Sequence, residues 1–310
     1  MAILINQKDC LVSRKNLGLS DCIIQEGRLT GFIIVPKSWS LDLVTDAFDL
    51  DYVNNQIQLG NFVPVLQAVE AANQTPEATI EEYPGGIKTV VRNGLPEYMF
   101  KFVKGGWKWV SALYTYNSFQ AFDVLLVFST GAIAGASNGT NFTGFDLGML
   151  NNGTYMFTDG SVNSFVQVHI QLTNEVQFNR DVALLDSSVL GFNANFDLSP
   201  ITDISIVGRA NVTDAKVYFK AVFDMNKSTQ LLGIAQSNIQ SYKDGIIDPI
   251  TALSFTYDTI TKEYSFSPTA TFTTTDNFVV TLYDSVTSTN VAIIGTKFYK
   301  GQSPTIVPIA

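Results

Sequence analysis

The 310-residue chain is poor in charge, since Asp, Glu, Lys and Arg together make up 15% of it, against about 25% in ordinary soluble proteins. Hydrophobic residues make up 46% and aromatic residues 12%, which is enough for well-packed cores and excludes a largely disordered chain. Uncharged polar residues and glycine take the place of the missing charges. Because charge is depleted at the centres of protein interfaces, this composition predicts a chain that hides much of its surface in an assembly.

Basic residues are the scarcer of the two signs. The chain has 19 Lys and Arg against 28 Asp and Glu, which gives a net charge of −9 and a pI near 4.6. A protein that reads nucleic acid needs clustered Lys and Arg facing the phosphates, so this function class is excluded. A surface that DNA passes without being held stays compatible with the charge, because like charges repel.

Cysteine and histidine are nearly absent. Cys10 and Cys22 are the only cysteines and His169 is the only histidine. Without an export signal the two thiols are predicted to be reduced, and they are too few for a structural zinc site. His169 lies between two glutamines and has no neighbour in sequence that would orient it as a general base. We therefore predict no metal site, no cofactor and no catalytic residue.

Long apolar runs are missing as well. No window approaches 18 uncharged apolar residues, so no membrane-spanning helix is predicted. The segment Met1–Cys10 turns polar after five residues and has no basic region, so no signal peptide is predicted. The sequence therefore predicts no membrane partner.

Three patterns have the residue types of chemical sites without the required arrangement. Gly135–Gly139 matches the Gly-x-Ser-x-Gly elbow of hydrolases, but the elbow must open into a helix, and a loop is predicted up to Gly144. Glu81 and Glu82 would point to opposite faces of a strand and could not act together as a glycosidase pair. An acidic group lacks the spacing and the glycine of a calcium loop; it consists of Asp46, Asp49, Asp51 and Asn54. We predict that the protein is not an enzyme.

The stretch from Tyr98 to Gly135 organises the predicted fold. It begins with a strand, Tyr98–Val103, and a glycine break, Gly105–Gly106. The run Phe122–Phe128 is short and rich in aliphatic and aromatic residues, which predicts a buried strand that turns at Ser129–Gly131.

A short helix is predicted between these two strands, over Trp107–Tyr116. Trp109, Leu113 and Tyr116 follow each other at i, i+4 and i+7, which places them on one helix face. Val110 and Tyr114 have the same i, i+4 relation. Trp109 is predicted to be a core anchor.

Hairpins are predicted on both sides of this element. They join Asp21–Ile24 to Leu29–Val35, Ala78–Tyr83 to Ile87–Arg92, and Thr154–Thr158 to Phe165–Leu172. The last strand alternates strictly between apolar and largely polar residues, which predicts one buried face. The other segments are predicted to be irregular between Ser38 and Pro64, helical over Val65–Ala72, and a loop over Gly135–Gly144.

A shift to small and polar residues around Ser187–Pro200 predicts a boundary between two domains, 1–188 and 189–310. The second domain shows seven short strands separated by turns, which is typical of an immunoglobulin-like sandwich without its disulfide. The predicted strands are Ile201–Val207, Lys216–Phe223, Gln230–Ala235, Ala252–Tyr257, Glu263–Phe266, Phe278–Tyr283 and Val291–Phe298.

The order of these elements resembles the major tail tube proteins of tailed bacteriophages. The resemblance covers about residues 20–185 and rests on the three hairpins, the helix Trp107–Tyr116 and the strand that turns at Gly131. The segment Ser38–Gln74 is longer than the family pattern. Some members of this family carry a C-terminal immunoglobulin-like domain, to which residues 190–310 are similar.

The resemblance implies a mainly β protein: a tail-tube-like β-sandwich with a flanking short helix, followed by an immunoglobulin-like sandwich. It also implies homo-oligomeric rings that stack around a lumen, contacts with other phage tail proteins, and genomic DNA that passes without sequence-specific binding. The expected location is the virion tail, after synthesis in the host cytoplasm. Two alternatives stay open: a phage or virus capsid protein of jelly-roll type, and a surface or receptor-binding β module.

Overall fold

The computed structural model describes residues 5–6, 27–103, 107–117, 121–138, 140–153, 155–158, 163–223, 226–250, 254–269 and 271–309. Within these residues the protein is mainly β with short helices, as the sequence predicts. In the same residues no helix is long and apolar enough to span a membrane. The chain divides into two compact units, Met1–Leu198 and Ser199–Ala310.

The first unit contains fourteen strands and four helices among its described residues. In chain order they are β1 Ile5–Asn6, β2 Leu29–Pro36, β3 Ser40–Asp42, α1 Leu50–Gln58, β4 Val63–Val65, β5 Glu70–Asn73, β6 Thr79–Tyr83, β7 Ile87–Arg92, β8 Glu97–Phe102, α2 Trp107–Tyr114, β9 Phe122–Phe128, β10 Ile133–Asn138, β11 Asn141–Thr143, β12 Phe145–Asn152, β13 Val166–Leu172, α3 Glu175–Asn179, β14 Val182–Leu185 and α4 Ser187–Leu190.

Twelve of these strands form one sheet that branches at β9. Strand β2 pairs with β9 along its whole length, whereas β12 and β10 pair with successive parts of its other edge. From β12 the sheet continues through β13 and β8 to β5, and from β10 it continues through β14 to β1. Val124, Leu125, Leu126 and Val127 are all buried. The predicted buried strand is confirmed, and its burial on both faces is the reason that its neighbours must cover both edges.

The main core lies on one face of β2 and β9. Phe32, Phe100 and Phe145 are fully buried there, together with alternate residues of β8 and β13. Helix α2 adds Val110 and Leu113 to this core, and Trp109 packs half-buried against the Phe102 ring, with 5.2 Å between ring centroids. The predicted helix is confirmed, although Tyr114 is exposed.

An aromatic cluster forms a second apolar centre, and four of its five residues lie in the segment Ser38–Pro64 that was predicted to be irregular. It consists of Trp39, Phe48, Tyr52, Phe62 and Phe142, whose rings contact one another edge to face or tilted. Helix α1 supplies Tyr52. The helix begins at Leu50 because the side chain of Asp49, the preceding residue, accepts a hydrogen bond from the Tyr52 backbone N–H and so caps the helix.

Several predicted segments are wrong. Val65–Ala72 is not a helix: it contains the end of β4 and the start of β5, which pair with β2 and β8. Gly135–Gly144 is not a loop, since β10 and β11 form a hairpin there. The main hairpin partner of β13 is β12, and the predicted partner Thr154–Thr158 contributes the isolated bridge Met156–Phe165. The predicted strand Asp21–Ile24 lies outside the described residues.

The division between the units falls after Leu198, not after Ser188. Residues Leu190, Phe192, Ala194 and Leu198 are buried in the first unit. Asn195 ties this segment to the sheet, because its Nδ2 donates to the Phe128 carbonyl and its Oδ1 accepts from the Thr30 hydroxyl. The shift in composition therefore marks the final segment of the first unit, and the boundary follows it.

The second unit contains eleven strands among its described residues: β15 Thr202–Asn211, β16 Lys216–Phe223, β17 Asn226–Gln230, β18 Ile239–Lys243, β19 Ile246–Asp248, β20 Thr256–Asp258, β21 Glu263–Phe266, β22 Phe278–Leu282, β23 Ala292–Ile294, β24 Lys297–Lys300 and β25 Pro308–Ile309. One sheet has the order β20-β21-β16-β15-β24-β23, with β17 beside β16 and β25 beside β15. The other has the order β19-β18-β22. Both sheets contribute to one core, which includes Phe219, Phe266 and Phe278.

Most of the predicted strands of this unit occur. The predicted Gln230–Ala235 is wrong, because the strand β17 ends at Gln230, and Val291–Phe298 is a hairpin of β23 and β24 rather than one strand. Strands β18 and β19, which pair with each other, were not predicted.

Truncation tests where the first unit ends. A chain ending at Leu198 is expected to unfold cooperatively with a thermal midpoint close to that of the first unit in the full chain. A chain ending at Ser188 loses four buried side chains and the Asn195 hydrogen bonds, so we expect it to be insoluble or to unfold at least 10 °C lower. Circular dichroism and calorimetry of both chains measure this. Equal midpoints would show that residues 189–198 do not belong to the first unit.

Candidate functional site

The hydrolase-like motif does not form a nucleophile elbow. Ser137 lies in β10 and is 7% exposed, and its backbone N–H donates to the Asp181 carbonyl. The strand runs on into β11 through a hairpin and not into a helix. Gly139 lies outside the described residues. The buried hydroxyl and the missing helix do not support a hydrolase.

The single histidine has a partner that sequence spacing does not reveal. His169 Nδ1 lies 3.8 Å from Glu97 Oε1, across the pair formed by β13 and β8. Gln171 approaches the other carboxylate oxygen of Glu97 at 3.5 Å. These side chains lie on a shared sheet face and not in a cleft, so the arrangement orients polar groups without enclosing a substrate.

Two residues of the acidic group stabilise the start of helix α1. Asp49 caps its first turn, and Asp51 lies in that turn, where a negative charge interacts favourably with the helix dipole. Asp46 is exposed beyond the cap. Among the described residues, no three or more His, Cys, Asp or Glu side chains are grouped to hold a metal ion. Cys10 and Cys22 lie outside those residues.

An ionic cluster that was not predicted lies at the start of β9. Lys37 Nζ donates to Asp123 Oδ1 at 2.8 Å and to Asp146 Oδ1 at 2.5 Å. The second oxygen of Asp123 accepts from the Ser38 backbone N–H at 2.9 Å, and that of Asp146 accepts from Asn174 at 3.2 Å. Asp123 is 3% exposed. A carboxylate inside the apolar run Phe122–Phe128 is the signal that could have revealed this cluster, because a buried charge needs a partner.

The two carboxylates respond differently to this environment. Burial raises the pKa of Asp123, and the hydrogen bonds from Lys37 and Ser38 offset this only in part. Burial alone would also raise the pKa of Asp146, but the bonds from Lys37 and Asn174 and the Lys37 charge outweigh it and lower the pKa. Burial opposes the charge of Lys37, yet its bonds to both carboxylates raise its pKa. The cluster therefore joins β2, β9 and β12 by charge as well as by backbone pairing.

A half-covered polar face lies on the opposite side of β8 and β13 from the core. Gln167, His169 and Gln171 alternate with buried apolar residues along β13, as predicted. On β8 the same face carries Glu97, Met99 and Lys101. Positive and negative side chains occur together on this face, so it has no cluster of basic residues that would hold a phosphate.

The hairpin of β6 and β7 is the most exposed element of the first unit. Every described side chain from Pro76 to Val91 is exposed. The two strands pair only with each other among the described residues. On one face Ile80 lies opposite Val90, and on the other Tyr83 lies opposite Ile87. We call this element, residues 79–92, the arm.

The base of the arm is held tightly. A Cβ atom on Gly94 would lie 1.8 Å from the Pro76 carbonyl oxygen, so the two ends of the arm meet at a position that admits only glycine. Next to it, Asn93 Nδ2 donates to Glu175 Oε1 of α3. The base of the arm is therefore anchored to the unit by a close backbone approach and by one side-chain hydrogen bond. Glu81 and Glu82 lie on it, facing Thr89 and Lys88 on opposite faces as predicted.

No protein-family model matches this sequence, and no curated protein matches it.

The charge of the chain is divided unevenly between the two units. Residues 199–310 carry eight Lys and Arg against nine Asp and Glu, a net charge of −1, so residues 1–198 carry the other −8. An isolated two-stranded hairpin with apolar residues on both faces is only marginally stable in water. The candidate functional site is therefore the arm, an exposed hairpin with apolar side chains on both faces, carried by an acidic unit.

Replacing Lys37 with Met tests the ionic cluster. The variant leaves Asp123 buried without its cation, so we expect the unfolding free energy to fall by about 2–4 kcal/mol at pH 7, somewhat less than for a fully buried pair because Lys37 is partly exposed. The loss should shrink as the pH falls through the raised pKa of Asp123, because the protonated acid needs no cation. Urea unfolding across the acid range measures both effects.

The control is the double variant Lys37→Met with Asp123→Asn, which removes the buried charge together with its partner. It should recover part of the stability and lose the pH dependence. A loss that is the same at every pH would contradict this account of the cluster.

Proposed function

We propose that this chain is a tail tube subunit of a tailed bacteriophage, a structural virion protein whose copies form stacked rings around a DNA-conducting lumen. Its partners are then further copies of itself, other phage tail proteins and DNA that passes without sequence-specific binding. Its first unit is the ring-forming β domain and its second unit an outer immunoglobulin-like domain. It needs no catalytic residue, metal or cofactor, and its location is the virion tail.

The observation that carries this proposal is the arm. It projects with Ile80 and Val90 on one face and Tyr83 and Ile87 on the other, and it has no partner in its own chain among the described residues. Such an element can supply the contact between unlike surfaces of identical copies, which generates a ring when the rotation between copies closes. The β6–β7 hairpin, helix α2 and strand β9 also follow one another in the order on which the resemblance rests, although β13 pairs mainly with β12 and not with the predicted strand Thr154–Thr158.

Charge supports the same function. The first unit holds nearly all of the net negative charge, and the polar face of β8 and β13 mixes Glu97 with Lys101 and uncharged glutamines. A lumen lined in this way lets DNA slide, because no cluster of cations releases counterions from the phosphates.

The strand order of the second unit supports an immunoglobulin-like domain. Strands β15, β16, β21 and β20 are neighbours in the order of the A, B, E and D strands of that fold. Strand β22 lies between β18 and the segment 302–306, to which it is bridged at Thr281–Gln302 and Phe278–Ile306, as F lies between C and G. Pro308 and Ile309 then pair in parallel with β15.

The alternatives fit less well. A capsid protein of double jelly-roll type needs two similar halves, whereas the two units differ in strand order and in the number of strands in their sheets. A receptor-binding module would use the exposed side chains of the second unit, such as Ile260, but it gives no role to the arm or to the acidic first unit.

Electron microscopy of the purified full chain tests the proposal. We expect hollow rings or stacked tubes, and we expect Ile80→Asp with Val90→Asp to abolish them, because two charges on the apolar face oppose its burial in an interface. Analytical ultracentrifugation measures the loss as a shift from assemblies to monomer.

The control is Ile260→Asp, which changes an aliphatic residue of the second unit that is even more exposed, 90% against 56% for Ile80, and should leave the rings intact. Circular dichroism of all variants verifies the fold. A full chain that stays a monodisperse monomer, even when mixed with virions, would overturn the proposed function.

A further inference from the structure

We propose that the tip of the arm, Tyr83–Ile87, docks into a pocket beside α4 of the next copy of the chain. This inference rests on the proposed function and deepens it, because it assigns the surface that receives the arm. Its occupant is a second copy of this chain.

The pocket lies in the first unit and has a volume of about 430 Å³. It is lined by seven consecutive residues, Leu43–Asp49, and by Val189 and Leu190 of α4. Leu43, Phe48 and Leu190 are buried and form its apolar floor, whereas Val44 is exposed at its edge. Apart from Thr45 and two carboxylates it has no reactive side chain, so it is suited to docking and not to catalysis.

Local hydrogen bonds hold the pocket open. The Asp42 side chain accepts from the Val44 backbone N–H at 2.9 Å, and the Asp42 carbonyl accepts from the Asp46 N–H at 2.8 Å. This turn presents Val44 to the outside. The Asp49 carboxylate is engaged in capping α1. The pocket is thus preformed, which lowers the entropy lost when a partner binds.

The tip of the arm matches the pocket in size and chemistry. Tyr83 and Ile87 lie directly opposite each other, 50% and 64% exposed, and are joined by Pro84, Gly85 and Gly86. Pockets of about 300–1,000 Å³ enclose drug-sized molecules, so this pocket has room for both side chains. Tyr is also the residue type enriched among side chains that anchor interfaces, because its ring is apolar and its hydroxyl polar.

The collar of the arm carries one charge of each sign, Glu82 before the tip and Lys88 after it, and Lys88 is the one that complements an acidic rim. The tip itself is uncharged, so docking buries no ion in the apolar floor. Asp46 and Asp49 make the rim acidic. Lys88 follows the tip directly, and its ion pair with Glu82 is long, at 3.8 Å between well-exposed side chains. Lys88 can therefore turn to Asp46 of the neighbour at little cost.

Donor and acceptor are different surfaces of one chain, and neither is filled by the other in the same copy: the arm is exposed along its length and the pocket is open. Docking between copies is then head to tail, and such contacts repeat from copy to copy until they close into a ring or continue as a stack. An arm that paired with another arm would instead give a symmetric dimer.

Disulfide trapping tests the inference, in a chain carrying Cys10→Ser and Cys22→Ser. One preparation receives Ile87→Cys and a second receives Val44→Cys, and the two are mixed and oxidised under conditions in which the parent chain assembles. We expect the mixed disulfide between copies at a yield at least tenfold above the control, because bridged residues must lie within about 7 Å of each other. The control is Leu59→Cys, exposed at the end of α1 outside the pocket.

The outcomes separate the inference from the proposed function. If rings form and Val44→Cys gives no more product than Leu59→Cys, the pocket does not receive the arm, while the tube function stands. Disulfides between two Ile87→Cys chains in place of the mixed product would mean that arms pair with arms, which also overturns it. A parent chain that never assembles would contradict both the docking inference and the proposed function.

A charge reversal provides a second measurement that does not depend on trapping. Lys88→Glu should raise the concentration at which the chain assembles at least tenfold, and Asp46→Lys in the same chain should restore most of it, because the pair is re-formed with its signs exchanged. Asp51→Lys, outside the pocket, is the matched control and should restore nothing. Restoration by Asp51→Lys, or none by Asp46→Lys, would contradict the inference.

Discussion

Strand β9 is the constraint on which the first unit depends. Val124 to Val127 are buried on both faces, so none of the backbone groups of this strand can turn to water. They must be paired along both edges. Strand β2 covers one edge fully, and β12 and β10 divide the other, which makes the sheet branch. Asp123 is buried near this branch. Lys37 and Ser38, which follow β2, donate hydrogen bonds to its carboxylate, and the Lys37 charge neutralises it.

The same strand explains why the first unit extends to Leu198. The turn after β9 reverses at Gly131, where φ is +86° and where a Cβ atom would lie 2.5 Å from the Asn193 side chain. Asn195 then bonds to the Phe128 carbonyl. The segment after α4 therefore closes the end of the buried strand, and its polar residues serve backbone groups that water does not reach. Small polar residues of this kind look like a linker in the sequence, which is the reason that the boundary was predicted too early.

The elements that sequence alone predicted correctly have strong local patterns. The alternation in Phe165–Leu172, the apolar run Phe122–Phe128 and the helical spacing of Trp109 and Leu113 each depend on one element and one face. The errors depend on residues far away in the chain. Gly135 lies in β10, where β11 passes so close that a Cβ atom would lie 2.4 Å from the Thr143 carbonyl oxygen. No local pattern in the sequence indicates this pairing. Helix α1 was missed because its apolar residues are few and its cap, Asp49, was interpreted as part of an acidic turn.

The arm illustrates the limit for the candidate site. Its two strands and its turn were predicted from Pro84 and two glycines, but its isolation was not, because isolation is a property of the whole fold. The isolation of the arm from the other strands affects its stability. Two strands with aliphatic and aromatic side chains on both faces gain little from each other in water, and yet the base at Gly94 and Asn93 is rigidly held. A rigid base orders the arm before it binds, so that less entropy is lost on docking.

The low charge of the chain has a physical reason if the chain is a subunit of an assembly. A stable interface buries about 1,200–2,000 Å², and a subunit that meets neighbours on several sides must remove charge from each contact region, since an unpaired buried charge costs several kcal/mol. Charged residues then remain at the rims of the interfaces and on surfaces that stay exposed to solvent. The tip of the arm follows this rule: Tyr83–Ile87 are uncharged, and the charged residues Glu82 and Lys88 lie on either side of them. A chain that stayed monomeric would gain nothing from such a pattern and would be left with exposed aliphatic side chains that favour aggregation. The proposed assembly gives the composition of the whole chain and the exposure of the arm the same cause.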